Sequence, residues 1–327
     1  MHTKPSPLIL MLVVVTFLAA SILPEAGVSA QGETAGANVP APLRPLNTIE
    51  SKTPTYTWTK VVGATNYQYQ VYKDTTRLAD VRLPATVCGT SACSHKPTLV
   101  LTFETHKWRV RARVSGSWMP WSEYAVFFVS APSFDSSFNG SMAGWKSRSA
   151  AKWMLQPAKV IAHGELMKWS SLYRSSGLFK DFRYTAWVNR YHPNGNSCLA
   201  FRMGSLTGSE YDDWYPGYLF CLGEDWQFII LRYDAPESYT TLHDYTPSSS
   251  IILDAWNELE VVAQGDRFDF YINCDHVATV IDDTYDRGYV GITMFKNSGS
   301  FTTLMVDWAK LSVLGKLRDY RNEAAGR

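Results

Sequence analysis

The chain has 327 residues, with 31 Lys and Arg against 30 Asp and Glu, and a formal net charge of +1. That balance excludes the strong global field by which nucleic-acid-binding and anionic-membrane proteins steer their partners. Aromatic residues make up 14% of the chain, with 12 Trp and 18 Tyr, an excess that suits thick β cores or flat platforms on which sugar rings stack.

Residues 1–30 read as a signal peptide: Lys4 gives a positive start, Leu8 to Ala20 is apolar, and Val28-Ser29-Ala30 offers a cleavage site before Gln31. The apolar run is shorter than the roughly 20 residues a span needs, with an uncleaved anchor as the alternative. The expectation is a secreted or cell-surface protein with no stable membrane span after cleavage. Residues 31–44, small and Pro-containing, read as a linker.

Strand signals begin near Thr55 and recur as YTW, NYQYQVY, HKWRVRARV and EYAVFFV, bounded by Gly, Pro, Ser or Asn. Trp108, Val110, Ala112 and Val114 alternate with Lys107, Arg109, Arg111 and Arg113, a half-buried strand with one basic face. Trp118 and Trp121 follow that stripe and are expected to interleave with its arginines as cation–π pairs, a ligand platform being the alternative. Cys88 and Cys93 flank a short loop and are expected to close it as a disulfide in an oxidising compartment. Pro54 through Trp58, Ala64 through Tyr72, Trp108 through Ala112 and Trp121-Ser122 resemble a fibronectin type III-like module over residues 45–130. The resemblance implies a seven-stranded sandwich with Trp58 in its core.

Residues 133–314 hold about ten more strand signals separated by short turns rich in Gly, Asn and Asp, which calls for a second, larger two-sheet sandwich. The fold class is therefore all-β throughout. Cys198 opens one strand and Cys221 closes the next; antiparallel pairing would set them face to face, a geometry that suits a bridge without guaranteeing one. Cys274 is left over. Residues 315–327 form a polar tail.

Trp256 to Val261, Ala263, Gly265-Asp266-Arg267, Tyr271-Ile272-Asn273, Val277, Asp282 and Gly288-Tyr289-Val290-Gly291-Ile292 resemble the closing half of a concanavalin A-like jelly roll. In detail they are similar to laminin-G-like domains and to the bacterial 3-keto-disaccharide hydrolase family, and Phe134-Asp135 and Gly144-Trp145 resemble the opening strand of that fold. The fold hosts lectins, adhesion domains and glycosidases alike. Where the family has Asn-Gly at its second hairpin, this chain has Asn273-Cys274-Asp275, and a turn of another type is expected because cysteine disfavours positive φ.

Glycosidases need two carboxylates in one cleft, and jelly-roll enzymes resembling that scheme carry clustered acids on one strand, a run this sequence lacks. Glu210, Asp212 and Asp213 sit in an expected loop; Glu258 and Glu260 share a strand face and are expected to be solvent-exposed. No catalytic residue is assigned. Binding needs only an aromatic face with a few polar groups. In the strand Phe182 to Tyr191, Phe182, Tyr184, Ala186 and Val188 face the core, while Arg183, Trp187, Asn189 and Tyr191 face the other way. Arg202, Arg232 and Tyr271 are candidate neighbours, with Trp214 in an adjacent loop, where Asp212 and Asp213 are candidate Ca²⁺ ligands; no other cofactor is expected. The leading expectation is a lectin-like protein whose partner is a carbohydrate or cell-surface polysaccharide, not nucleic acid. A glycoside hydrolase and a non-catalytic adhesion protein are the alternatives.

Overall fold

The structure is a computed structural model and describes residues 39–148, 153–191, 195–204, 212–297 and 302–314. The signal peptide, the first part of the linker, Glu210 and the polar tail lie outside the described residues. Among those described, the chain is β throughout apart from one 3₁₀ turn at Ala85–Val87, and no helix is long and apolar enough to cross a membrane.

The first sandwich uses β1 (Pro42–Arg44), β2 (Asn47–Ile49), β3 (Tyr56–Thr59), β4 (Ala64–Lys73), β5 (Thr76–Pro84), β6 (Ala92–His95), β7 (Thr105–Val114), β8 (Ser117–Trp118) and β9 (Ala125–Val129). One sheet runs β1-β3-β6 and the other β2-β9-β7-β4-β5, with β8 paired to β7. The expected linker therefore ends earlier than composition implied: Pro42 to Arg44 pair with β3 as an edge strand, a place where proline is tolerated because no ladder N–H is lost. Trp58 is fully buried, among Tyr56, Tyr69 and Trp108, whose rings meet edge-on or offset. The Cys88–Cys93 disulfide closes its loop.

Period-two alternation along β7 buries Trp108, Val110 and Ala112 and turns Arg109 and Arg111 outward. The Arg111 guanidinium lies 4.8 Å from the Trp118 ring and 4.4 Å from the Trp121 ring, and Arg109 lies 4.6 Å from Trp121. Gln70 and Gln68 accept from the two arginines, and both amides donate to Asp80. The interleaved ladder braces the sheet, as the stripe predicted; each such pair stabilises by about 0.5–1 kcal/mol.

The second sandwich uses β10 (Phe134–Ser136), β11 (Trp145–Ser147), β12 (Trp153–Gln156), β13 (Lys159–His163), β14 (Trp169–Arg174), β15 (Phe182–Tyr191), β16 (Ser197–Met203), β17 (Gly217–Leu222), β18 (Gln227–Ala235), β19 (Ser238–Pro247), β20 (Trp256–Gln264), β21 (Arg267–Ile272), β22 (Asp275–Ile281), β23 (Tyr289–Phe295) and β24 (Thr303–Val313). An eight-stranded sheet runs β12-β13-β24-β15-β20-β21-β22 with β10 on β24, and a seven-stranded sheet runs β11-β14-β23-β16-β17-β18-β19. All ten signalled strands form. The edge strand β19 carried no signal because it is polar on both faces.

The core between these sheets is built from alternate residues such as Phe182, Tyr184, Phe201, Phe220, Phe270 and Ile292, each fully buried. Cys198 pairs directly opposite Cys221 and the disulfide forms. Gly291 is required by close approach: a Cβ there would sit 2.4 Å from the Leu172 carbonyl and 2.6 Å from the Trp214 ring. The β21–β22 connection corrects an expectation. Ile272 pairs with Asp275, so the hairpin has two residues, and both Asn273 and Cys274 take positive φ, 50° and 70°. Cysteine here occupies the left-handed position that glycine takes in type I′ turns. The Asn273 amide supports the turn by donating to Ser250 O and Asn257 Oδ1.

The two cores meet at the end of the larger sandwich. Thr48 Oγ1 donates to Asp181 Oδ2 at 3.0 Å, Ser133 donates to Glu50, and Arg287 donates to Thr105 Oγ1 at 3.0 Å. Both broad outer faces of the larger sandwich carry aromatic side chains: Trp187, Trp256 and Trp308 on the eight-stranded sheet, Trp169, Tyr233 and Phe295 on the seven-stranded one.

Candidate functional site

The seven-stranded sheet turns one face to the core and the other to a groove of about 680 Å³. Strand β18 shows how: Phe228 and Ile230 point into the core, while Ile229, Leu231 and Tyr233 point into the groove. Trp169 of β14 and Phe295 of β23 complete the floor. Their rings lie 5.2 Å apart, and Tyr233 meets Trp169 edge-on at 5.8 Å. Burial pushes the Tyr233 phenol well above its ordinary value, so it stays neutral at any physiological pH. Cys198, Cys221, Ala200, Leu219 and Trp214 belong to the same apolar cluster as Trp169, Ile229, Leu231 and Tyr233, with Cys221 opposite Ile229 and Leu219 opposite Leu231.

Two half-exposed rings stand on the walls. Tyr239 packs against Tyr233 at 5.4 Å, and Tyr245 Oη donates to Asn196 Oδ1 at 3.0 Å. Polar groups are held at the rim by specific bonds. Glu224 Oε1 accepts from Gly195 N at 2.9 Å and from Asn297 Nδ2 at 2.8 Å. Arg190, only 6% exposed, reaches from β15 to donate to the carbonyls of Gly223 and Gly195. Burial pushes its guanidinium down to about 10, with Glu224 opposing, so it remains charged at neutral pH. Asp213 Oδ2 accepts from Glu237 N at 2.8 Å, and Arg148 donates to the carbonyls of Asp212 and Asp213. An apolar aromatic floor with oriented acceptors at its rim is the arrangement by which a ring-shaped polyol is stacked and hydrogen-bonded.

The residues expected from sequence to form one site are divided between two faces. Arg183, Trp187, Asn189 and Tyr191 do share the outward face of β15, and Tyr271 of the same eight-stranded sheet lies on that side. That face is on the far side of the sandwich from the groove. Trp187 lies between Trp256 and Trp308, with centroids 6.3 and 6.4 Å away and ring planes within 4° of parallel. Arg183 pairs with Glu260, which also accepts from Thr185; Glu260 is thus held in an ion pair rather than presented to solvent. Tyr191 is exposed and Asn189 buried.

Arg202 does not join them. It is 1% exposed and donates to the carbonyls of Lys180 and Tyr285, locking loops at the end of the sandwich. Arg232 faces away from the groove, paired with Asp234 and Asp282; the alternation that sends Leu231 and Tyr233 outward sends Arg232 the other way. Trp214 is buried against Tyr173 and Arg148, in the apolar cluster that includes the groove floor. The Asp213 carboxylate serves the Glu237 backbone, and among the described residues no group of three or more His, Cys, Asp or Glu is placed to hold a metal ion.

Sequence reasoning missed Trp169, Tyr233, Tyr239, Tyr245, Phe295, Glu224 and Glu237. One signal was present: WQFIILRY is apolar on both faces. In an antiparallel sandwich that means its outer face is covered too, or floors a cleft.

Fold and groove together define a two-sheet, jelly-roll type sandwich with a concave, aromatic-lined face. Residues 133–305 match the 3-keto-alpha-glucoside-1,2-lyase-like domain, just over half of the chain, and the protein belongs to that family. Among curated proteins none matches. Solved structures with a similar arrangement include the carbohydrate-binding module CBM66 from Bacillus subtilis, with 18% identity over 51% of this chain and 96% of that one and a TM-score of 0.41. A Bacillus licheniformis beta-glucanase shows 10% identity over 56% and 99%, with a TM-score of 0.43. The exoplasmic/lumenal domain of VIP36 shows 11% identity over 58% and 92%, with a TM-score of 0.43.

Proposed function

We propose that this protein is an exported, lectin-like carbohydrate-binding protein whose ligand lies in the groove on the outer face of the seven-stranded sheet. The observation that carries this reading is the groove itself: about 680 Å³, floored by Trp169, Tyr233 and Phe295, walled by Tyr239 and Tyr245, with fixed acceptors at its rim. Its volume falls within the range of small-ligand sites. The signal-like N-terminus and the two disulfides support export, since such bridges persist in oxidising compartments. The first sandwich is read as a fibronectin type III-like spacer, supported by its β1-β3-β6 sheet set against β9-β7-β4-β5.

The test is a glycan array with the mature protein, repeated for Tyr239→Ala and Tyr245→Ala. Both side chains are about half exposed, so the variants fold, and each loses tenfold or more in affinity. Unchanged glycan binding in both would rule the groove out. Repeating the titration with EDTA tests metal dependence; binding lost with EDTA and restored by Ca²⁺ would support a Ca²⁺ site, for which Asp212 and Asp213 are the candidate ligands.

A second reading, cleavage of a glycosidic bond, is favoured by the family and by Asp213, Glu224, Asp225 and Glu237 lining the same groove. Incubation with a 3-keto-α-glucoside, followed by detection of the released sugar, tests it. No release above the uncatalysed rate discards it.

A further inference from the structure

The groove, taken as the sugar site, has a bias of charge, and the inference drawn from that bias rests on the sugar-site assignment. Its floor is uncharged. Its charged lining is of one sign: Asp213, Glu224, Asp225 and Glu237, while among the described residues no Arg, Lys or His lines it. Two cations lie behind this lining. Arg148 donates to the carbonyls of Asp212 and Asp213, and Arg190 to those of Gly195 and Gly223. Both guanidiniums are engaged with backbone oxygens, and neither lines the groove. Glu224, Asp225 and Glu237 stand exposed at the rim, so among the described residues a ligand entering the groove meets three carboxylates before any cation.

We propose that the groove takes a cationic saccharide, one carrying free protonated amino groups as an oligomer of glucosamine does, and turns away acidic glycans. The aromatic floor stacks the ring of an amino sugar as it would any pyranose. An ammonium near the faces of Trp169, Tyr233 or Tyr239 gains further from the ring quadrupole. Each exposed carboxylate adds a modest, salt-sensitive attraction. A uronic or sulfated sugar meets the same carboxylates as like charges, which is costly wherever water is displaced. The acids thus sort ligands by charge, while the aromatics hold whichever sugar fits.

The experiment is isothermal titration of the mature protein with tetramers of glucosamine, N-acetylglucosamine and galacturonic acid, at about 20 mM and about 300 mM salt, on either side of physiological screening. The glucosamine and N-acetylglucosamine tetramers differ in whether the amine is free and charged or capped by acetyl. The expected result is about tenfold tighter binding of the glucosamine tetramer at low salt, falling to about twofold at high salt, with the galacturonate weakest. Equal affinity for the free and acetylated tetramers overturns the charge rule while leaving the groove as a sugar site. Galacturonate binding as tightly as the amine overturns it in the same way. Failure of all three to bind removes the groove reading and the charge rule together. In the double variant Asp225→Asn, Glu237→Gln the ratio of free-amine to acetylated affinity is expected to fall by about threefold. A ratio unchanged in a variant that still binds sugar overturns the role of the rim.

Discussion

Asp213 and Glu237 are tied together in the lining of the groove: the carboxylate of the first accepts the backbone N–H of the second at 2.8 Å. The bond joins the segment before β17 to the β18–β19 turn, so one side chain sets where a rim carboxylate stands. Replacing Asp213 by Ala leaves that N–H without its acceptor, at about 1–3 kcal/mol. The expected outcome for Asp213→Ala is a lowered denaturation midpoint together with a several-fold loss of glycan affinity. Asp213→Asn keeps a carbonyl oxygen at the position and is expected to restore most of both. Equal losses in the two variants would mean that charge, not the tether, matters at this position.

Trp187 was the leading sugar contact from sequence, yet it lies in a row with Trp256 and Trp308 on the other sheet. Lys310 closes one end of the row, 5.0 Å from the Trp308 ring. Truncation to Ala removes two ring contacts and part of a buried face, about 2–3 kcal/mol in all. Trp187→Ala is therefore expected to lower stability in urea while groove affinity stays within about twofold of the parent. Loss of glycan binding in a folded Trp187→Ala protein would shift the sugar site to this face.

Acid sensitivity should come from the Asp282 and Asp234 cluster. At Asp282, burial pushes the carboxyl up, but hydrogen bonds from Tyr218, Thr284 and Arg232 outweigh it and hold the group below its ordinary value. Asp234 is lowered in the same way, with burial opposed by Arg232 and Tyr285. The unfolded chain thus takes up these protons first on acidification. The stabilisation is fully present above the unfolded carboxylate value of about 4 and is lost as pH falls through the lower folded values. Urea midpoints are expected to hold between about pH 5 and pH 7 and to drop below pH 4, and Asp282→Asn should flatten that acid limb. An acid limb unchanged in Asp282→Asn would assign the sensitivity elsewhere.

The Cys198–Cys221 bridge spans 23 residues of sequence and lies in the apolar cluster that includes the groove floor. Constraining a loop of that size stabilises by about 2–4 kcal/mol. The double Ser variant is expected to melt at a lower temperature and to bind glycan more weakly, because two hydroxyls then enter the apolar cluster to which the floor belongs. The Cys88–Cys93 bridge belongs to the other core, and its removal should lower stability without altering glycan affinity. A groove defect from the latter change would mean that the two cores are coupled through their junction.

What the sequence determined by itself was local. Alternation assigned Phe182, Tyr184, Ala186 and Val188 to the core and Arg183, Trp187, Asn189 and Tyr191 to the opposite face of β15, because neighbouring side chains on a strand must point to opposite sides. That Cys198 could face Cys221 followed from assuming that their two strands pair antiparallel, which left the bridge open until the register was seen, and the arginine–tryptophan ladder followed from one stripe and the loop after it. Which outward face becomes a groove was not local. Strands β15 and β18 both carry outward aromatics. Only the order β14-β23-β16-β17-β18-β19 brings Trp169, Phe295, Tyr233 and Tyr239 to one surface, from positions spread over more than a hundred residues. Arg202 and Arg232 show the same limit: each reads as a free cation on a strand, and each is claimed by carbonyls or carboxylates of loops that no strand pattern places. Along β15 the sequence settled inside against outside, and the packing of two sheets decided which outside meets a ligand.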